Sequence, residues 1–220
     1  MANIFSGGKL DYILDALSSV DWVFSAVSCL AIVNTKAAAR QIFELARPTF
    51  DDAAVYHLST DMCPAHRKQE LAKVRDRLAA SEPILCVSTQ LIEAGVDVDF
   101  RVVIRFVAGL DSIAQAAGRC NRNGAPEPGI LHIINPQDEN LDKLPDIMIG
   151  RDKALRVLDE YAQNPARFGH SLVSPQALES YYRYYFFARQ EQMGYPISPS
   201  EIGHDDTLLN FLILQPPCCQ

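Results

Sequence analysis

A regular alternation of short apolar runs with longer amphipathic stretches starts at Cys29 and continues for about a hundred residues. The stretches Lys36–Ala46 and Cys63–Ala80 carry apolar residues at helical spacing. The short runs predict five strands, namely Cys29–Val33, Ala53–Leu58, Ile84–Val87, Val102–Val107 and Ile130–Ile134. The continuous apolar run Cys29–Val33 is typical of a strand that is buried on both faces. Strands alternating with helices predict an α/β fold, a doubly wound and mainly parallel sheet with helices on both faces.

Composition agrees with a folded protein and suggests how the chain is divided. Of its 220 residues, 48% are hydrophobic and 21% are charged, a balance that excludes wholesale disorder. Helical spacing between Leu10 and Leu17 predicts a helix before the sheet, and the stretches Lys153–Tyr161 and Leu178–Phe187 predict helices after it. We therefore expect four parts: an N-terminal helix or lead-in (1–27), the sheet domain (28–136), a helical extension (137–192) and a linker or tail (193–220).

Charge, hydropathy and cysteine usage limit the classes of function. No stretch approaches the ~18 consecutive apolar residues of a membrane span, and the N-terminus lacks the basic start of a secretory signal, so we expect a cytoplasmic protein. A net charge of -7 argues mildly against a dedicated duplex-DNA binder. The six cysteines include no CxxC pair, and Cys63-x-x-His66 has no second ligand pair. We therefore expect reduced thiols and no metal site.

The segment from Asp111 to Arg122 carries two closely spaced arginines. Asp111 is a candidate N-cap for a short helix, on which Gln115, Arg119 and Arg122 would lie on one face at i, i+4 and i+7. Guanidinium groups bind phosphate oxygens in a bidentate manner, so this face would suit a phosphate group. A solvated surface helix with two unrelated arginines explains the spacing equally well.

A second polar segment, Ser88 to Asp97, follows the third predicted strand. It begins with hydroxyl groups that could contact phosphate, continues through Gly95, which permits close approach, and ends at Asp97, which could accept a hydrogen bond from a ribose hydroxyl. An ordinary strand-to-helix turn with a capping serine is the alternative. In doubly wound sheets ligands bind at the carboxyl ends of strands, where Asn34-Thr35 and Ser59-Thr60 also lie.

Together and in this order, the segments resemble motifs of superfamily-two helicases. Thr89-Gln90-x-x-Glu93-x-Gly95-Val96-Asp97 resembles motif V, and Gln115-x-x-Gly118-Arg119-x-x-Arg122 resembles motif VI. Asn34-Thr35 resembles motif IV, and Leu58-Ser59-Thr60 with Arg67 resembles the nucleic-acid-contacting segment that follows it. Over roughly residues 28–210 the chain resembles the helicase half of the CRISPR-associated helicase–nuclease of type I systems. One departure is Ala116, at a place that many superfamily-two helicases fill with arginine.

The resemblance implies a second RecA-like domain, which binds ATP with Mg together with a first RecA-like domain. It implies that Gly95, Asp97, Arg119 and Arg122 contact the nucleotide, and that Arg122, Arg119 and Gln115 form the catalytic group, with Arg122 the better candidate for an arginine finger. It also implies contact with the backbone of single-stranded DNA by seven residues: Asn34, Thr35, Ser59, Thr60, Arg67, Thr89 and Gln90. The implied partners are the first RecA-like domain, an HD nuclease and a CRISPR effector complex in antiviral defence.

Parts of a complete motor are missing from the sequence. A phosphate-binding loop requires GxxxxGK[ST], but Asn3 stands where the first glycine belongs and Leu10 where the hydroxyl belongs. We therefore expect the isolated chain to be inactive as an ATPase. We expect Asp138-Glu139 to lie in a solvated loop and His204-Asp205 to be incidental. The alternatives are a non-catalytic, nucleic-acid- or partner-binding remnant of a truncated helicase, and another superfamily-two ATPase such as a restriction or repair translocase.

Overall fold

The computed structural model of the chain describes residues 2–8, 28–48, 50–92, 98–120, 129–136 and 138–192. Its strands are β1 (Ala2–Gly8), β2 (Ser28–Ile32), β3 (Val55–Leu58), β4 (Ile84–Ser88), β5 (Val102–Phe106) and β6 (Ile130–Pro136). Its α-helices are α1 (Lys36–Ala46), α2 (Pro64–Ala79), α3 (Leu110–Ala117), α4 (Pro145–Gln163) and α5 (Pro175–Ala188). The strands form one sheet in the order β1-β6-β5-β2-β4-β3, and every neighbouring pair is parallel.

Helices cover both faces of this sheet because successive side chains of a strand point to opposite sides. On one face, Ala31 and Val87 pack against Ile42 and other apolar residues of α1. On the other face, Leu30 and Cys86 belong to a larger core that includes residues of α2, α3, α4 and α5. The predicted doubly wound α/β fold is therefore confirmed. None of the described helices combines the length and apolarity that a membrane crossing requires.

Strand β1 was not anticipated, because it lies in the N-terminal part for which the sequence predicted a helix or lead-in. Residues 2–8 run parallel to β6, with Ala2 opposite Leu131 and a register shift between Ser6 and Gly8. Polar residues and glycines interrupt the apolar pattern here, and this edge strand pairs with one neighbour only in the described sheet. The predicted helix around Leu10 to Leu17 lies outside the described residues.

The two helices that follow β6 pack against the start of α3 through a close contact. The buried Tyr181 of α5 places its hydroxyl beside Gly109, the N-cap of α3, and beside Gly150 of α4. The hydroxyl is hydrogen-bonded to the side chain of Asp111, and burial together with this carboxylate raises the pKa of Tyr181. The helical extension therefore shares its core with the sheet and fixes the position of α3.

This contact predicts that the two glycines at the ends of α3 differ in their tolerance of a side chain. A Cβ atom at Gly109 would lie 2.4 Å from the Tyr181 hydroxyl and 2.1 Å from an Asp111 carboxylate oxygen, whereas one at Gly118 would meet nothing closer than 3.4 Å. We expect Gly109→Ala to lower the free energy of unfolding by about 1–3 kcal/mol, the usual cost of overpacking. In urea denaturation, Gly118→Ala should stay close to wild type; equal losses at both positions would contradict the contact.

Candidate functional site

The polar segments after β2, β3 and β4 lie side by side at the carboxyl edge of the sheet. In the register of the three strands, Ile32 and Leu58 both stand opposite Ser88. The segments that follow these residues therefore start at the same level along the strand direction. The amide of Val33 also donates to the Ser88 carbonyl at 2.9 Å. The fold thus brings Asn34-Thr35, Ser59-Thr60 and Thr89-Gln90 to one edge.

Asn34 and Thr35 form the corner between β2 and α1, and both side chains are used within the protein. Thr35 is the N-cap of α1, and its hydroxyl oxygen accepts from the amide of Ala38 at 3.1 Å. The buried Asn34 amide group donates to the Val107 carbonyl at 3.0 Å and accepts from Arg105 at 2.7 Å. A contribution of the Asn34 side chain to nucleic-acid binding would therefore act through the shape of this corner.

Glu139 occupies a different environment from the solvated loop that the sequence predicted. Asp138 is exposed, but Glu139 is only 8% exposed and its carboxylate accepts three hydrogen bonds from the corner between β2 and α1. Burial raises the pKa of Glu139, an effect opposed by the bonds from Asn34 and Thr35 and by the charge of Arg105. The prediction of a solvated Glu139 is wrong, because a residue 105 positions away in sequence supplies its hydrogen-bond donors.

Arg105, in the inner strand β5, is a buried charge that belongs to none of the sequence motifs. Its side chain is fully buried, and one guanidinium nitrogen donates both to Asn34 Oδ1 at 2.7 Å and to the Phe106 carbonyl at 2.8 Å. The available signal was a single arginine inside the otherwise apolar run Val102–Val107. A charged residue is fully buried almost only when it is paired, so an arginine inside this run indicates a buried polar or acidic partner elsewhere in the fold.

The loop after β3 is joined to α1 by an ion pair. Ser59 is buried and its hydroxyl accepts from the amide of Asp61 at 3.3 Å, whereas Thr60 is exposed. The Asp61 carboxylate in turn pairs with Lys36 in the first turn of α1. Arg67 lies half-buried near the start of α2, one turn beyond this loop.

The residues after β4 are less accessible than the sequence suggested. Ser88 is fully buried inside the strand, and its hydroxyl oxygen has no hydrogen-bond partner in the described structure. Thr89 is also buried, and Gln90 is half-buried at the start of a short 3-10 helix that ends at Ile92. The residues Glu93 to Asp97 of the motif V segment, with Gly95, lie outside the described residues.

The helix predicted to carry Gln115, Arg119 and Arg122 ends earlier than expected. Helix α3 begins after the N-cap Gly109, so Asp111 lies in its first turn and does not cap it. The helix ends at Ala117, and Arg119 follows the C-cap, with its amide donating to the Ala116 carbonyl at 3.0 Å. Gln115 is exposed and Arg119 is buried, so they do not share one accessible face.

Arg119 lies at the opposite edge of the sheet from the polar loops. The amide of Phe100, just before β5, donates to the Arg119 carbonyl at 3.0 Å, and Phe100 forms a parallel bridge with Cys120. Asp97 is three positions before Phe100 in sequence, but Asp97 and Arg122 lie outside the described residues. The predicted nucleic-acid residues thus lie at the carboxyl edge of the sheet, and Arg119 lies at the amino edge.

The cysteines differ strongly in their environments. Burial raises the pKa of the thiols of Cys86 and Cys120, to about 12 and about 11, and also raises that of Cys29. Cys63 is exposed. Within the described ranges no three His, Cys, Asp or Glu side chains are grouped closely enough to hold a metal ion.

Comparison with known proteins identifies relatives for the central part of the chain. Residues 25–125 match the family model described as CRISPR-associated nuclease/helicase Cas3, C-terminal. The Cas3 nuclease/helicase of Haloferax volcanii is 47% identical over 104 residues, which are 44% of this chain and 11% of that protein. The corresponding protein of Methanothermobacter thermautotrophicus is 33% identical over 99 residues, 45% of this chain and 12% of that protein. The matched segments thus cover about a tenth of either relative.

Solved structures resemble the fold over a longer stretch. The crystal structure of T. fusca Cas3-ADP is similar over 87% of this chain and 25% of that chain, with a TM-score of 0.65 and 16% identity. A chain of a CRISPR RNA-guided surveillance complex, pre-nicking, covers 74% of this chain with a TM-score of 0.57 and 18% identity, over 22% of that chain. At these identities the likeness establishes the RecA-like α/β fold.

Proposed function

We infer a function from the premise that this chain carries a Cas3-type C-terminal helicase domain, matched over residues 25–125. We propose that the chain is the second motor domain of an ATP-dependent DNA helicase or translocase in CRISPR antiviral defence. The observation that carries the proposal is the meeting of three polar loops at the carboxyl edge of the sheet, where Ile32 and Leu58 stand level with Ser88. A domain of this family with such an edge is suited to hold a nucleic-acid backbone.

Single-stranded DNA is the proposed ligand of the carboxyl edge. The exposed Thr60 and the cationic Arg67 offer a hydroxyl and a guanidinium to phosphate oxygens, while Ser59 and Thr89 are buried and Gln90 is half-buried. Contacts of this kind follow the phosphates and do not read sequence. With half of a binding groove and a net charge of -7, the isolated chain should bind weakly, and binding should weaken further as salt rises.

ATP with Mg is the proposed cofactor, bound between this chain and a first RecA-like domain. Arg119 supplies the kind of donor that phosphate requires, but the residue is only 7% exposed. Arg122 therefore remains the proposed finger, with Gln115 in the same catalytic group. Gly95 and Asp97 are the proposed nucleotide-binding residues, with Asp97 at the ribose. Bound ATP supplies the energy of hydrolysis; this chain supplies cations that neutralise developing charge. The phosphate-binding loop and the Mg ligands come from the other domain.

The proposed partners follow from the relatives. A structural neighbour of this chain is part of a CRISPR RNA-guided surveillance complex, and the curated relatives are nuclease/helicases several times longer than the matched segment. We assign this chain a place beside a first RecA-like domain and an HD nuclease, recruited by such a complex. The alternative, a non-catalytic binding remnant, predicts that ATP hydrolysis does not appear when the first domain is supplied.

A pair of arginines on α2 tests the nucleic-acid edge. Arg67 is near the start of α2, whereas Arg75 is exposed eight residues further along the same helix, about 12 Å away at the rise of an α-helix. We expect Arg67→Ala to weaken binding of oligo-deoxythymidylate, measured by fluorescence anisotropy, and to reduce the slope of log affinity against log salt by about 1.

Arg75→Ala removes the same charge from the same helix and serves as the matched control. Its affinity and salt slope should stay close to those of the wild-type chain. Equal losses for both variants would mean that only overall charge matters, and unchanged binding by Arg67→Ala would contradict the proposed edge.

A further inference from the structure

A buried polar cluster, made of Asn34, Arg105 and Glu139, is hydrogen-bonded to the corner between β2 and α1. The three residues come from the ends of β2, β5 and the segment after β6, three neighbouring strands of the sheet. All three are less than a tenth exposed. The cluster therefore lies inside the protein, and its bonds reach the backbone of the corner at Asn34–Thr35.

Glu139 bonds to the backbone of the corner as well as to its side chain. One carboxylate oxygen accepts from the amides of Asn34 and Thr35, both at 3.1 Å, and the other accepts from Asn34 Nδ2 at 2.8 Å. Thr35 is the N-cap of α1, so Glu139 fixes the two residues that lead into the helix. A carboxylate is also favourable at a helix N-terminus because of the helix dipole.

The orientation of the Asn34 amide is fixed by its other partners. Arg105 donates to its oxygen, and its nitrogen donates to the Val107 carbonyl. A flipped amide would place its nitrogen against the Arg105 donor. The residue at position 139 must therefore accept from Asn34 Nδ2, which a carboxylate does with either oxygen. A glutamine at 139 could keep its oxygen on the two backbone amides only by turning its own NH₂ group toward this donor.

From these contacts we propose that Glu139 is a positioning residue, which holds the corner at Asn34–Thr35 in the shape that binds nucleic acid. The corner is linked onward, because Lys36 in the first turn of α1 pairs with Asp61 in the loop after β3. Loss of the Glu139 bonds thus displaces both the corner and the loop that carries Thr60. The proposal rests on the proposed function, since it assigns Glu139 a role in the same nucleic-acid edge.

The direction of the change in DNA affinity on neutralising Glu139 distinguishes a positioning role from a purely electrostatic one. Removal of a negative charge near a phosphate backbone should raise affinity, because DNA is a polyanion. For Glu139→Gln in the full chain we expect the opposite, a loss of affinity for oligo-deoxythymidylate of about fivefold, since a hydrogen-bonded network is broken. Asp142→Asn removes an exposed carboxylate three residues further on and should bind as tightly as wild type or more tightly.

Hydrogen exchange measured by NMR gives an independent readout of the corner. In Glu139→Gln the amides of Asn34 and Thr35 should exchange about tenfold faster, because their acceptor is lost or weakened. The amides of β4 should keep the exchange rates of the wild-type chain. If Glu139→Gln does not fold at 25 °C, Glu139→Asp, which keeps the charge but withdraws the carboxylate by one methylene, is measured with the same expectations.

Glu139→Gln binding as tightly as Asp142→Asn would overturn the proposal, and so would unchanged exchange at Asn34 and Thr35. If the wild-type chain itself shows no salt-sensitive binding, the proposed nucleic-acid edge fails instead. In that case exchange at the two amides still decides whether Glu139 holds the corner.

Discussion

In a protein that unites this chain with a first RecA-like domain, we expect Arg122→Ala to slow ATP hydrolysis by about 10³-fold or more, the usual contribution of an arginine finger. Phosphoryl transfer depends on positioning and on neutralisation of charge that develops in the transition state. Arg122 would act at that stage, so nucleotide affinity should change much less than turnover. Separate measurement of kcat and of nucleotide binding distinguishes this pattern from a general loss of structure.

Two other arginines make the result interpretable. Arg183 lies on the surface of α5, where it pairs with Glu179 at 3.0 Å, and Arg183→Ala should leave turnover and stability nearly unchanged. Arg119 is buried, so Arg119→Ala should lower the melting temperature as well as turnover. Normal turnover in Arg122→Ala would sink its assignment as the finger, whereas absence of hydrolysis in the unmutated two-domain protein would favour the non-catalytic alternative.

The second large effect concerns stability and the buried cluster at the carboxyl edge. We expect Arg105→Met to lower the free energy of unfolding by about 1–3 kcal/mol, the usual cost of leaving a buried hydrogen-bonding group without its partner. The change leaves the Glu139 carboxylate without the charge of Arg105, which opposes the rise in its pKa. It also removes the donor to Asn34 Oδ1. Urea denaturation of the full chain measures the loss.

A double-mutant cycle separates this interaction from the loss of arginine packing. Arg105→Met combined with Glu139→Gln should cost less than the sum of the single changes, because the second change neutralises the acid that the first leaves uncompensated. Arg40→Met, at an exposed arginine that pairs with Glu44 on α1, should cost no more than about 0.5 kcal/mol. Additive losses, or a loss below about 1 kcal/mol for Arg105→Met, would show that the two charges are not coupled.

The sheet could be predicted because its signals are local. Each inner strand contains a short, mainly apolar run, and residues such as Pro48 and Pro83 end the helical stretches before the next strand. Helix α1 has the predicted bounds, Lys36–Ala46. Helix α4 is longer than the predicted Lys153–Tyr161, because Pro145 begins it at a position where a helix tolerates proline.

The cluster behind the edge could not be predicted, because its bonds join distant parts of the chain. Asn34, Arg105 and Glu139 each sit among residues that suggest something else: a helix cap, a buried strand and a polar loop. Only the parallel order of β2, β5 and β6 brings them together. The spacing of Gln115 and Arg119 gave a wrong prediction for a different reason. It predicted one continuous helix, but the helix ends at Ala117 and Gly118 is its C-cap.

The shared core of the sheet and the last two helices sets a lower bound on what can fold independently. The stretch recognised as a helicase domain stops at residue 125, yet Leu30 of the central strand lies in the same core as Leu158, Phe168 and Tyr181. Truncation at the recognised boundary would delete an inner strand and strip the apolar cover from one face of the sheet. The segment that matches the family model is therefore shorter than the part of the chain that shares one hydrophobic core. A fragment meant to stay soluble should extend at least through α5.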